Sequence, residues 1–155
     1  MRLFTVILVA VLLFINYDKG VKPPVIKDKV AHVGQVYDNE SIKCFLTDSI
    51  MRAPYRPPVI RTELAPLHPR ILGLTTEIGD NVYLIQLNSQ YGLRQLQRTL
   101  FHELVHVYQF ERDMLETGPG LVWWEGNIYT WLIPWAYRPW EIHAEYLTDE
   151  LYIAN

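Results

Sequence analysis

The residues of this chain best suited to chemistry are His102-Glu103-Leu104-Val105-His106. On a helix, His102 and His106 project from one face a turn apart, and two neutral imidazoles at that spacing can reach one zinc ion at about 2.0–2.1 Å. Glu103 follows the first histidine, so its carboxylate can lie beside such a metal without ligating it, where a general base has to be. A catalytic zinc needs three protein ligands and an open position, so a third ligand must come from elsewhere. Pro139-Trp140-Glu141-Ile142-His143-Ala144-Glu145 offers carboxylates for that purpose. Glu141 and Glu145 share one helix face about 6 Å apart along the axis, a spacing that suits one ligand and one supporter. His143 points to nearly the opposite side and does not serve the same ion as Glu141. Without a metal, the histidines would be a surface pair and the glutamates a solvated acidic face.

These residues need rigid elements to hold them. The longest helical pattern runs from about Gly92 to Leu115, with Leu93, Leu96, Leu100, Leu104 and Val107 forming an apolar stripe that faces away from the histidines. Thr117-Gly118-Pro119-Gly120 is expected to end it. A last helix is expected from Pro139, well placed as a first residue, to about Tyr152. Arg70–Glu77 and Val82–Asn88 flank the turn signal Ile78-Gly79-Asp80-Asn81 and predict a hairpin, and Val59–Leu64 predicts a short strand. Ile42, Phe45, Leu46 and Ile50 recur at helical spacing between Asp38 and Met51, with Asp38 as candidate cap. The prolines of Ala53-Pro54-Tyr55-Arg56-Pro57-Pro58 stop that helix. Cys44 is alone, which excludes an internal disulfide, and is expected as a small buried hydrophobe on it. Trp123, Trp124, Trp131, Trp135 and Trp140 are core candidates that could also shape a substrate pocket. The class implied is α+β.

A His-Glu-x-x-His helix followed by a second helix with Glu-x-x-Ala-Glu resembles the gluzincin metallopeptidases, and the small size resembles their minimal single-domain forms. The resemblance covers about residues 58–152. It implies a zincin-like fold: a small antiparallel or mixed sheet, an active-site helix and a C-terminal helix bearing the glutamate. The hairpin, with Val82–Asn88 beside the helix, is similar to the family's sheet and its substrate-binding edge strand. The resemblance makes Glu141 the third zinc ligand and Glu145 the carboxylate that supports a zinc-bound histidine. Larger members add a C-terminal domain whose histidine or tyrosine stabilises the oxyanion. No such domain is expected in these 155 residues, which leaves Tyr129, Tyr137, His143 and Tyr146 as candidates for the role.

With 155 residues the chain has room for one domain, and its 50% apolar content argues against disorder. The net charge of −3, with no dense basic run, gives no support to nucleic-acid binding. Arg2 precedes an apolar run from Leu3 to Ile15, broken only by Thr5, which reads as a signal peptide or membrane anchor. The organisation expected is residues 1–17 as that segment, 18–37 as a linker and 38–155 as the metallopeptidase domain, membrane-anchored or exported. The expected activity is hydrolysis of a peptide or protein substrate by zinc-activated water, with Glu103 as general base. The alternative is a non-catalytic, membrane-tethered zinc-binding or interaction domain, distinguished by a closed fourth coordination position.

Overall fold

The computed structural model describes residues 33–50 and 57–152. The apolar run Leu3–Ile15 and most of the expected linker lie outside the described residues. Among the described residues no helix is long and apolar enough to cross a membrane. The architecture is α+β: α1 (Val33–Val36), α2 (Glu40–Phe45), β1 (Val59–Ala65), β2 (Gly73–Gly79), β3 (Val82–Asn88), α3 (Leu93–Glu111), β4 (Leu115–Gly118), β5 (Leu121–Trp124), β6 (Asn127–Thr130) and α4 (Pro139–Tyr152).

The first sheet has the order β1-β3-β2, with β1 parallel and β2 antiparallel to the central β3. The β2–β3 hairpin turns at Asp80-Asn81, where Asn81 takes the left-handed conformation (φ 60°) that asparagine tolerates. Tyr83, Ile85 and Leu87 alternate toward α3 and join its buried Leu96, Leu100, Leu104 and Val107 in the main core. Leu93, at the open end of the predicted stripe, is exposed. Asn88, at the end of β3, is buried, and its amide donates to the carbonyls of His68 (3.2 Å) and Ile71 (2.8 Å), shaping the loop that delivers β2. β2 is an edge strand, whereas Val82–Asn88, expected as the edge strand, is the central β3, paired on both sides. The Asn88 N–H bonds the Leu72 carbonyl at 2.9 Å, so by antiparallel alternation Gly73 and Thr75 turn their backbone groups away from β3.

Several boundaries differ from the sequence reading. Folded structure starts ahead of Asp38, inside the expected linker: Val36 is buried in the main core, and Tyr37 packs against it and hydrogen-bonds Thr62. Asn39, not Asp38, caps α2, its Oδ1 accepting from the N–H of Ser41 (3.0 Å) and Ile42 (3.3 Å), while Asp38 pairs with Lys43. A π-helical turn over Leu46–Ile50 then completes that segment. Cys44 lies on α2 but is exposed, its thiol donating to Asp48, because the core-facing positions are Ile42 and Phe45.

Helix α3 stops at Glu111, before the predicted end. Asp113 adopts a left-handed φ of 54°, which breaks the helical ladder. Thr117–Gly120, expected as the helix terminator, instead closes β4 and turns into β5. Pro119 and Gly120 (φ 76°) are the central residues of that turn, a pair suited to a type II geometry. β4, β5 and β6 form a second antiparallel sheet, and its Leu115, Val122 and Trp124 make a satellite core with Trp140 of α4.

Candidate metal centre

α3 and α4 pack against one another, and their facing residues build the site. His102 Nε2 lies 3.3 Å and His106 Nε2 3.4 Å from the same oxygen of Glu141, Oε2. One ligand atom from each of the three residues falls within 4.8 Å of the others, a group that could hold a metal ion. The two imidazoles stand edge to face with centroids 4.9 Å apart. All three side chains are largely buried.

The other nitrogen of each imidazole is also engaged. His102 Nδ1 lies 3.3 Å from Glu145 Oε2, and Arg98 pairs with Glu145 and with Asp149 (2.9 Å). His106 Nδ1 faces Gln109 Oε1 at 2.9 Å. Glu145 is therefore beside a histidine and outside the three-residue group, while His143 bonds Gln109 at 3.0 Å and packs near Trp124.

Electrostatics follow from this arrangement. Burial works against charge on His102, but Glu141 and Glu145 outweigh it and raise the imidazole to about 9. His106 is raised by Glu141 in the same way, also against burial. Burial acts to raise the Glu141 carboxyl, yet the two histidines hold it far below the usual carboxylate range. His102 brings Glu145 down to about 2, with Arg98 adding to the effect against partial burial. Without a metal, the site is thus held together by protons on the histidines. A metal ion would replace them, because it needs neutral imidazoles.

Glu103 is only 6% exposed and turns toward β2. Thr75 Oγ1 donates to Glu103 Oε2 at 2.7 Å and lies 3.1 Å from the Glu103 backbone carbonyl oxygen. Gly73 sits so close that a Cβ there would meet Glu103 Oε1 and Thr99 Cγ2, each at 2.7 Å. The carboxylate is thus bracketed by two residues of the edge strand whose backbone groups face outward. Trp135, 52% exposed, lies over His102 with ring centroids 6.4 Å apart. Of the residues considered for an oxyanion, Tyr129 packs on Trp140, His143 is held by Gln109, and Tyr137 and Tyr146 are exposed.

Sequence reasoning passed over Arg98, Gln109, Gly73, Thr75 and the placement of Trp135. Arg98 and Gln109 had a usable signal: they continue the His102–His106 face by one helical step in each direction. The contacts of Gly73 and Thr75 with Glu103 join residues far apart in the chain and had none. No family model matches the chain, and neither a curated protein nor a solved structure matches it.

Proposed function

We propose that this protein is a zinc-dependent metallopeptidase of the gluzincin type, with a zincin-like domain in which His102, His106 and Glu141 hold the metal. The observation that carries the reading is the spacing within that group. The N···O separations of 3.3 and 3.4 Å are long for hydrogen bonds. Those two separations are close to the edge of a tetrahedron with bonds of 2.0–2.1 Å, about 3.3 Å, within a group whose ligand atoms all lie within 4.8 Å of one another. Two imidazoles and one carboxylate are also a donor set that zinc accepts in catalytic sites.

A zinc ion held there supplies Lewis acidity, which acidifies water and polarises a peptide carbonyl. The chain's own residues do the rest. Glu103, steadied by Thr75, takes the proton from the attacking water and passes it to the leaving amine. The outward backbone groups of Gly73 and Thr75 can pair with an extended peptide as an added strand, laying it beside Glu103. Arg98, through Glu145, keeps His102 turned toward the metal. The run Leu3–Ile15 serves as the export signal or membrane anchor of this enzyme.

Zinc quantification on the purified full-length protein, together with a peptide-library cleavage screen, tests the proposal. The wild type should carry close to one zinc per chain and cleave peptides. Glu103→Gln should keep the zinc and lose the cleavage, while Glu141→Ala should lose much of the zinc. Full zinc content with no cleavage by the wild type would favour the non-catalytic zinc domain, and full zinc in Glu141→Ala would remove the third ligand.

A further inference from the structure

Gln109 is the one fully buried polar side chain of α3 that touches a member of the metal group on one side and α4 on the other. We infer that it is a positioning residue that sets the metal-binding tautomer of His106 and locks that histidine to the helix carrying Glu141. The inference rests on the metal-site reading above.

The argument starts from the Trp140 carbonyl oxygen, which can only accept. It lies 2.9 Å from one end of the Gln109 amide, so that end must be the NH₂ group. The other end is then the oxygen, 2.9 Å from His106 Nδ1. An amide oxygen cannot donate, so His106 carries its proton on Nδ1. In the neutral imidazole that a metal requires, this leaves the lone pair of Nε2 free, and Nε2 is the atom facing Glu141 Oε2. The second N–H of the same amide points at His143 Nδ1, 3.0 Å away, which must accept. His143 therefore carries its proton on Nε2. One amide assigns two histidine tautomers in opposite senses, and the backbone of Trp140, adjacent to Glu141, holds it in that orientation. His102 has a carboxylate on its outer nitrogen and His106 this neutral amide, so the two imidazoles are supported differently.

The test uses full-length protein and two readouts. Long-range ¹H–¹⁵N correlation of the histidine rings, at a pH where His143 is neutral, should show the His143 proton on Nε2. Competition with a chromophoric chelator should show zinc bound about 10–100-fold more weakly by Gln109→Leu than by the wild type. Gln109→Glu retains the acceptor for His106 and loses the donors for both His143 and the Trp140 carbonyl. It should recover part of the affinity that Gln109→Leu loses, the part owed to the His106 tautomer, and move the His143 proton to Nδ1. A wild-type His143 protonated on Nδ1 overturns the role of Gln109 whatever the metal content, and needs no variant to fold. Equal zinc affinity in a folded Gln109→Leu protein overturns it as well. Failure of the wild type to bind zinc overturns the metal reading itself, a separate result.

Discussion

Glu103 depends on two small residues of β2, and both can be tested one atom at a time. Thr75→Val keeps the shape and removes the donor to Glu103 Oε2. A hydrogen bond to a charged group contributes about 1.5–3 kcal/mol. If Glu103 is the base proposed above and that stabilisation is spent on orienting it, kcat/KM should fall by about 10–100-fold. Zinc content should not change, and Thr75→Ser should recover most of the loss. A Thr75→Val enzyme at the wild-type rate would detach Thr75 from the base. Gly73→Ala places a methyl 2.7 Å from Glu103 Oε1 and should impair turnover while leaving the three ligands in place. His102 supplies a second test at this scale. Its pKa is raised from the usual 6.5 to about 9, so in metal-free protein its contribution to stability is fully present below about 6.5 and is lost as pH rises through about 9. Glu145 is lowered from 4.5 to about 2, so its contribution is present above about 4.5 and is lost as pH falls through about 2. Metal-free protein should therefore melt highest between about 4.5 and 6.5 and weaken on the alkaline side. Saturating zinc should reverse the slope between about 6.5 and 9, because fewer protons then compete for His102. Parallel alkaline slopes with and without zinc in thermal melts would contradict this.

Among the elements, α4 is placed by Trp140, which is buried in the satellite core with Leu115, Val122 and Trp124 one residue before Glu141. Trp140→Ala should cost about 3–5 kcal/mol in denaturant unfolding of the metal-free protein and also weaken zinc, because the start of α4 loses its seat. Ile142→Ala, at a half-exposed neighbouring position, should change stability by no more than about 0.5 kcal/mol. Zinc affinity left intact in Trp140→Ala would mean that the second sheet does not position the ligand. That second sheet is also where the sequence was hardest to interpret. The extent of α4 was legible, because proline marked its start, and the β2–β3 hairpin was legible from apolar runs either side of Asp80-Asn81. The strands β4 to β6 are four residues each, too short for alternation to register. Gly118-Pro119-Gly120 fits a helix stop and a hairpin turn equally well when only local pattern is considered. The parallel pairing of β1 with β3 spans the chain between them and leaves no local mark. The His102–His106 face was legible because helical spacing alone defines it. Gln109 was not, since its importance comes from the Trp140 carbonyl on another helix.

At the scale of the whole molecule, the question is where the folded domain begins. The prolines and lysines before Asp38 suggest a linker, but Val36 is fully buried, Tyr37 bonds Thr62 on β1, and the Gln35 carbonyl accepts from Gln97 of α3 at 3.3 Å. These contacts tie the first turn of structure to the back of the helix that carries the histidines. Removing them should loosen that helix without touching a ligand. Full burial of a valine is worth about 1.5–3 kcal/mol, and Tyr37 adds to it. A chain beginning at Val33 should therefore melt close to the full-length protein and hold zinc as tightly. A chain beginning at Asp38 should melt lower and bind zinc more weakly, since binding energy must then also order α3. The same pair of truncations addresses the N-terminal run. Leu3–Ile15 is apolar enough that burial in lipid, at about 0.8 kcal/mol per CH₂, is strongly favoured over water. Full-length protein should fractionate with membranes or be exported, whereas the chain beginning at Val33 should remain in the soluble fraction with its zinc. Equal melting of the two truncations would return the domain boundary to Asp38. Full-length protein recovered entirely from the cytosol would remove the membrane segment from the proposal while leaving the metal site untouched.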